Sequence, residues 1–359
     1  MGLCSGIVRL ALGASLVGAG VLAAPASAAW LSPAPEFSAR LASAQEPSAR
    51  AASTRAPLWV SRSGDDDASG SPRSPMRTID GALERARPGQ TIFLRSGRYP
   101  EPTEASPRGR LAAAITLRPA PGATVVASGG FKLIHAAYVR VIGITFDGSG
   151  GDGWGTSIWA SHRIMFAHNE ITGYGASAQG VLIRDGSTGV RLVGNNIHDV
   201  GGNMRYDHGI YCQSARGTLI SHNLIHDVST GYGIHLFGDC DGTRIVGNII
   251  AHNGLSGIII AGNDDRGTAD RTLIAHNVIA DHVVAADSEF GFAVTEYRPG
   301  VGNVVRDNVF SRNAARENVD CETCTVRHNV LRDPGFVDPA QGNYALRRTS
   351  AVRSMIRLH

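Results

Sequence analysis

The chain has 359 residues, with 44 glycines and only 6% aromatic residues, a profile of many short strands and tight turns that argues against long helices. Its formal net charge of +3 is too small for the field that nucleic-acid binding needs, so no nucleic-acid partner is expected. Lys132 is the sole lysine among 34 basic residues, so carboxylates here meet arginine, the side chain that binds them in bidentate fashion.

In chain order, residues 1–28 read as a signal peptide: Arg9 is the one charge, an apolar stretch follows from Leu10 to Ala23, and Ala26-Ser27-Ala28 suits cleavage. No other segment is apolar for long enough to span a bilayer. A secreted, extracellular protein without a membrane span is expected. Cys4 precedes the apolar stretch, which leaves Cys212, Cys240, Cys321 and Cys324 in the mature chain. Export permits disulfides. The Cys321-x-x-Cys324 pair lacks any partner pair at zinc-site spacing, so a local disulfide or two free thiols is expected there.

Residues 29–57, rich in Ala, Ser, Pro and Arg without an apolar period, read as a disordered linker. Order begins with a short strand at Leu58-Trp59-Val60. Thr78 is placed to cap a helix over Ile79 to Ala86, with Ile79, Leu83 and Ala86 on one face. Pro88-Gly89 ends it, and Thr91-Ile92-Phe93-Leu94 begins a strand.

From there the chain repeats. An asparagine followed by an apolar residue recurs at Asn169 (one residue looser), Asn196, Asn223, Asn248, Asn277, Asn308 and Asn329. A second strand opened by glycine recurs at Gly180, Gly209, Gly233, Gly257 and Gly291. A period in the twenties with several short strands per turn predicts coils stacked into a parallel β-solenoid, successive coils about 4.8 Å apart. Asparagines at one corner then form a ladder satisfying backbone groups at the bend. The paired Ile197-His198-Asp199 and Ile225-His226-Asp227 occupy equal repeat positions, so they read as a corner feature rather than as catalytic dyads.

Residues 58–355 resemble the secreted pectate-lyase-like superfamily of right-handed parallel β-helix proteins. The resemblance is carried by Trp59-Val60-Ser61 with Gly64-Asp65, by Pro75-Met76-Arg77-Thr78-Ile79, by Ala86-Arg87-Pro88-Gly89-Gln90-Thr91-Ile92, and by Gly97-Arg98-Tyr99 and Pro121-Gly122. Asp333-Pro334-Gly335-Phe336-Val337-Asp338 with Tyr344-Ala345-Leu346 looks like that superfamily's last coil. The resemblance implies an all-β, single-stranded right-handed parallel β-helix with an N-terminal capping helix, acting on or binding an extracellular polysaccharide as a monomer. It is loosely similar to polysaccharide lyases and to mannuronan C5-epimerases, and it is more specific for fold than for reaction.

Strand side chains alternate, so aligning the glycine-opened strands assigns their faces. Val181, Ile210, Ile234, Ile258 and Phe292 form one inward column; Ile183, Cys212, Leu236, Ile260 and Val294 form the other. Leu182, Tyr211, His235, Ile259 and Ala293 point outward, as do Arg184, Gln213, Phe237, Ala261 and Thr295. Tyr211 thus lies beside His235, with Arg184 and Gln213 a strand step across. The preceding loop adds Arg205-Tyr206-Asp207-His208, and the next coil adds Tyr232. Trp154 and Trp159 on an earlier coil can stack on sugar rings. Lys132, on an early coil, falls away from this cluster.

Lyase action on a uronate needs a neutralised carboxylate, a base for the α-proton and an acid for the leaving oxygen. Arg184 or Arg205 suits the first role; His208, His235 or Tyr211 suits the others. Tyr206, Asp207, Gln213, Tyr232 and Phe237, with Arg205, are the expected substrate-binding residues. No cofactor is required. Relatives that use Ca²⁺ in place of arginine point to Asp239, Asp241, Asp264 and Asp265, which read as solvated turn acids. The expected function is β-eliminative cleavage of a uronic-acid glycan. Tyr206-Asp207-His208-Gly209-Ile210 keeps part of the epimerase Asp-Pro-His-Asp loop without its proline and second aspartate, so C5-epimerisation is one alternative and non-catalytic carbohydrate binding another. Glycoside hydrolysis ranks third, because the outward columns lack the paired acids it needs.

Overall fold

The computed structural model describes residues 55–150, 155–175, 178–202, 207–282, 291–298, 300–315 and 318–356. The expected signal segment and linker residues 29–54 lie outside them, as do Trp154, Arg205 and Tyr206. No helix among the described residues is long and apolar enough to cross a membrane.

The described chain winds as a parallel β-solenoid with three strands per coil. One coil runs Val181–Arg184, Arg191–Val193 and Asn196–Val200; the next runs Ile210–Gln213, Leu219–Ser221 and Leu224–Val228. Each strand pairs in parallel with its counterpart on the neighbouring coils, giving sheets of 11, 9 and 10 strands. Inward residues stack in register: Val181, Ile210, Ile234 and Ile258 in one column, Ile183, Cys212, Leu236 and Ile260 in the next. All are fully buried or nearly so, and each Ile or Leu contributes roughly 1.5–3 kcal/mol by leaving water.

The glycines that open these strands are required by close approach. A Cβ on Gly180 would meet the Gly209 carbonyl oxygen at 2.6 Å, and one on Gly209 would meet the Gly233 oxygen at 2.6 Å. Only glycine lets successive coils stack at this corner.

The corner before the third sheet carries an amide ladder running Asn169, Asn195, Asn223, Asn248, Asn277, Asn308 and Asn329. At each of its rungs the backbone N–H and the side-chain NH₂ both donate to the next asparagine's Oδ1, at 2.9–3.0 Å. The ladder member is therefore Asn195, not Asn196: Asn196 begins a strand, paired with Glu170 and Leu224. With Asn195 in place, Asn169 ceases to be irregular.

The N-terminal cap is the helix Ile79–Arg85, with Thr78 accepting from Gly81 N–H. Ala82 joins Ile79 and Leu83 as its buried face, while Ala86 is the C-cap. At the other end, Phe336–Asp338 and Asn343–Leu346 pair antiparallel, so this segment is a hairpin rather than another coil. Phe336, Tyr344, Leu346, Val352 and Ile356 pack on Ile249, Ala251, Val278, Ala280 and Val309 of the ten-stranded sheet. Two disulfides, Cys212–Cys240 and Cys321–Cys324, pair the four cysteines among the described residues.

A second correction concerns the register of the last glycine-opened strand. Ile258 pairs with Val294 and Ile259 with Thr295, two residues from the expected alignment with Phe292 and Ala293. Thr295 and Tyr297 therefore take the outward places beside Ile259 and Ala261, and Ala293 is fully buried.

Candidate active site

The outward face of the nine-stranded sheet brings together most of the predicted residues. One column reads Glu104, Lys132, Ser157, Leu182, Tyr211, His235, Ile259 and Thr295. Beside it run Ile134, Trp159 and Arg184, then Gln213, Phe237 and Ala261. Between Lys132 and Ala261 neither column holds a carboxylate.

Tyr211 and His235 are direct cross-strand partners with ring centres 5.0 Å apart. His208 reaches the pair from the loop before the Tyr211 strand, its Nε2 lying 2.8 Å from His235 Nδ1. The Tyr232 backbone N–H donates to His208 Nδ1 at 3.2 Å. Burial pushes His208 well below the usual imidazole range, with His235 beside it acting in the same direction. Burial brings His235 down to about 3, so both rings are neutral at physiological pH. For Tyr211, burial raises the phenol, while the Arg266 and Arg184 charges pull it down.

Arg266, on the turn after Ile258–Ala261, is the functional candidate that strand periodicity did not single out. The Gln213 amide oxygen, oriented by this contact, accepts from Arg266 Nε at 3.2 Å and Nη1 at 2.7 Å. Turn residues carry no periodic signal, so only the fold shows that this guanidinium lies over the Tyr211 coil. Arg184 pairs with Asp185, Nε to Oδ2 at 2.9 Å. Its Cζ lies 5.0 Å from the Trp159 ring centre, and Lys132 Nζ reaches the same ring from the other neighbouring coil at 4.6 Å. Trp159 is thus engaged by cations rather than open for sugar stacking. Lys132 stands in the same column as Tyr211, three coils away, and pairs with Glu104 at 2.8 Å.

The remaining predicted residues sit deeper. Asp207 is fully buried and accepts from Gly202 N–H at 3.1 Å, so its carboxylate is not on the exposed face. Tyr232 and Phe237 form an apolar patch with Leu255, Ile259 and Ala261. Among the four turn acids Asp239, Asp241, Asp264 and Asp265, Asp241 pairs with Arg271 at 3.0 Å and Asp264 with Arg298 at 2.6 Å. Among the described residues the one group of three potential metal ligands is Glu296, Cys321 and Cys324, the cysteines being disulfide-bonded.

The His-Asp pairs lie on the ten-stranded sheet instead. His198 and His226 stack at 5.0 Å, and each Nδ1 meets the carboxylate of the following residue, at 2.8 Å (Asp199) and 2.6 Å (Asp227). A cleft of about 520 Å³ on that side lies under the C-terminal hairpin, lined by His252, Tyr344 and Arg347 among others. It is lined by none of the Tyr211 group.

This coil geometry defines a parallel β-helix protein whose nine-stranded sheet carries a polar, cation-flanked patch on its outward face. The chain belongs to the right handed beta helix region family, whose model matches residues 154–341. Among curated proteins it is 26% identical over 232 residues to YwoF of Bacillus subtilis (strain 168), itself uncharacterized, a match spanning 61% of this chain and 46% of YwoF. The chain therefore spans about half the length of that relative. Among solved structures it is similar to a protein described as a glycoside hydrolase (TM-score 0.60, 10% identity, 85% of this chain and 99% of that one). It is also similar to pectate lyase Pel9A (TM-score 0.53, 14% identity, 84% and 90%). A third is the complex of XylC with xylose (TM-score 0.52, 12% identity, 76% and 70%). At such identities the likeness is one of fold.

Proposed function

We propose that the chain is a secreted polysaccharide lyase that cleaves a uronic-acid-containing glycan by β-elimination on the sheet face around Tyr211. The observation that carries this reading is the cross-strand Tyr211–His235 pair flanked by Arg184 and Arg266, which act on the Tyr211 phenol, in columns that hold no carboxylate between Lys132 and Ala261. Two guanidiniums suit a uronate carboxylate and stabilise the charge that builds on it as the α-proton leaves. Tyr211 is the proton-transfer group: as phenolate it takes the α-proton, and as phenol it returns a proton to the leaving oxygen. Acid–base hydrolysis has no pair of carboxylates in these columns to run on. The names of Pel9A and XylC, which concern carbohydrates, are consistent with a glycan on this face.

The test is incubation of the purified protein with polygalacturonate, alginate and a glucuronate-containing glycan, following ultraviolet absorbance of the unsaturated product. Absorbance growth on one of them is expected. No absorbance on any uronan, with reducing ends released from a neutral glycan, overturns the assignment. Altered C5 configuration without chain cleavage would identify an epimerase instead.

A further inference from the structure

His208 and His235 form a relay whose hydrogen positions follow from one backbone amide. The Tyr232 N–H always carries its hydrogen, so His208 Nδ1, 3.2 Å away, must be the acceptor. A neutral imidazole has a single N–H, which therefore lies on His208 Nε2. That N–H faces His235 Nδ1 at 2.8 Å, which accepts. The one hydrogen of neutral His235 is left on Nε2, a buried atom with no hydrogen-bond partner among the described residues. Around it stand the rings of Tyr211, Tyr232 and Phe237, with centres 5.0, 5.5 and 5.7 Å from that of His235, which offer weak π acceptors at best.

An unsatisfied buried donor costs about 1–3 kcal/mol. Two other imidazoles among the described residues share this condition, and they differ in position. His198 Nε2 faces the Glu170 carboxylate at 3.4 Å on the ten-stranded sheet. His282 Nε2 is also without a partner, but its ring Nδ1 accepts from Asn253 N–H and its backbone N–H donates to Asn313 Oδ1. It is a rung between two corner asparagines and wholly enclosed. His235 occupies the outward column of the nine-stranded sheet.

We infer that His235 is a fixed hydrogen-bond donor whose Nε2–H is reserved for a carboxylate oxygen of the bound glycan, and that His208 is the positioning residue that fixes it. The choice of a carboxylate rests on the lyase reading above; the direction of the relay does not. A carboxylate accepts and never donates, so it matches an imidazole that can only donate on that side, beside Tyr211, on which the Arg184 and Arg266 charges act. His235 is by the same argument not the base. Freeing Nε2 would move hydrogens to His235 Nδ1 and His208 Nδ1, and the latter would then confront the Tyr232 N–H.

The test uses the mature chain with ¹⁵N-labelled histidine, reading ring tautomers from long-range ¹H–¹⁵N correlations. Both His208 and His235 are expected as the Nε2–H form from pH 5 to 8, and the His235 Nε2–H signal should move on adding a galacturonate, mannuronate or glucuronate trimer. His208→Gln offers an oxygen to Tyr232 N–H and an NH₂ to His235, so it should keep the tautomer and trimer affinity within a few-fold. His208→Leu should release the tautomer and weaken trimer binding about tenfold. A His235 found as Nδ1–H or as imidazolium overturns the relay, whatever the lyase assay shows. A trimer that binds without moving the His235 signal, or no trimer binding at all, overturns the carboxylate as its ligand. The expected tautomer and shift without cleavage of any uronan would remove only the lyase reading.

Discussion

The Tyr211 ring lies 5.0 Å from that of His235, on adjacent coils of one outward column, so the two side chains meet a ligand together or not at all. If Tyr211 transfers the proton, Tyr211→Phe keeps the ring and its packing and removes only the hydroxyl. The expected outcome is a loss of 10²–10⁴-fold in kcat, about the range for one acid–base group, with melting temperature nearly unchanged. Because burial raises the phenol above its ordinary value, the phenolate is scarce at neutral pH. The wild-type kcat/KM should therefore rise about tenfold per pH unit from neutral into alkaline solution, and a flat or falling profile would exclude phenolate as the base.

Arg266 offers a second, separable prediction. Its guanidinium holds Gln213 and pulls the Tyr211 phenol down against burial. Arg266→Ala is expected to lower kcat/KM on a uronan about 10–100-fold and to move the alkaline rise to higher pH. Arg266→Lys should keep part of the charge effect but not the paired contacts to Gln213. An alkaline profile unmoved by Arg266→Ala would place Arg266 in ligand binding alone.

The sequence exposed the solenoid readily, because glycine-opened strands and corner asparagines recur every 21–34 residues and the strands between them alternate. It erred where two residues of one type are neighbours. With Asn195 and Asn196 adjacent, periodicity accepted either, and only the apolar residue that followed broke the tie, in favour of the wrong one. The inward place beside Ile225 belongs to Ile197, two residues after the ladder position rather than one. Tyr211, His235 and Gln213 were legible from alternation alone. Arg266 was not, since turns are free of that constraint, nor was the burial of Asp207, which depends on a backbone contact to Gly202.

That correction is itself testable. The Asn195 side chain donates to Phe166 O at 3.0 Å and to Asn223 Oδ1 at 2.9 Å and accepts from Asn169, all in the buried corner. Asn195→Ala leaves those groups unpaired and should cost about 2–4 kcal/mol, at about 1–3 kcal/mol for each strongly affected group. Asn196 loses one contact, with His226 Nε2 at 3.2 Å, so Asn196→Ala should cost about 1 kcal/mol or less. Denaturant midpoints of the two variants at equal m-value settle the order.

The histidines set opposing pH limits on stability. His198 is desolvated, yet its hydrogen bonds with Asp199 and Glu170 raise it to about 9, above its ordinary 6.5. The folded state therefore holds a proton there that the unfolded chain releases between these values. This stabilisation is complete below about pH 6.5 and is lost as pH rises toward 9. His235 and His282 behave oppositely: burial lowers both to about 3. Between about pH 3 and 6.5 the unfolded chain takes up protons that the folded one refuses, so stability falls as the solution is acidified. The melting temperature should peak near pH 6–7. His198→Gln should flatten the alkaline side and leave the acid side steep, because the buried His235 and His282 rings are untouched. An alkaline slope unchanged in that variant would mean that other groups carry it.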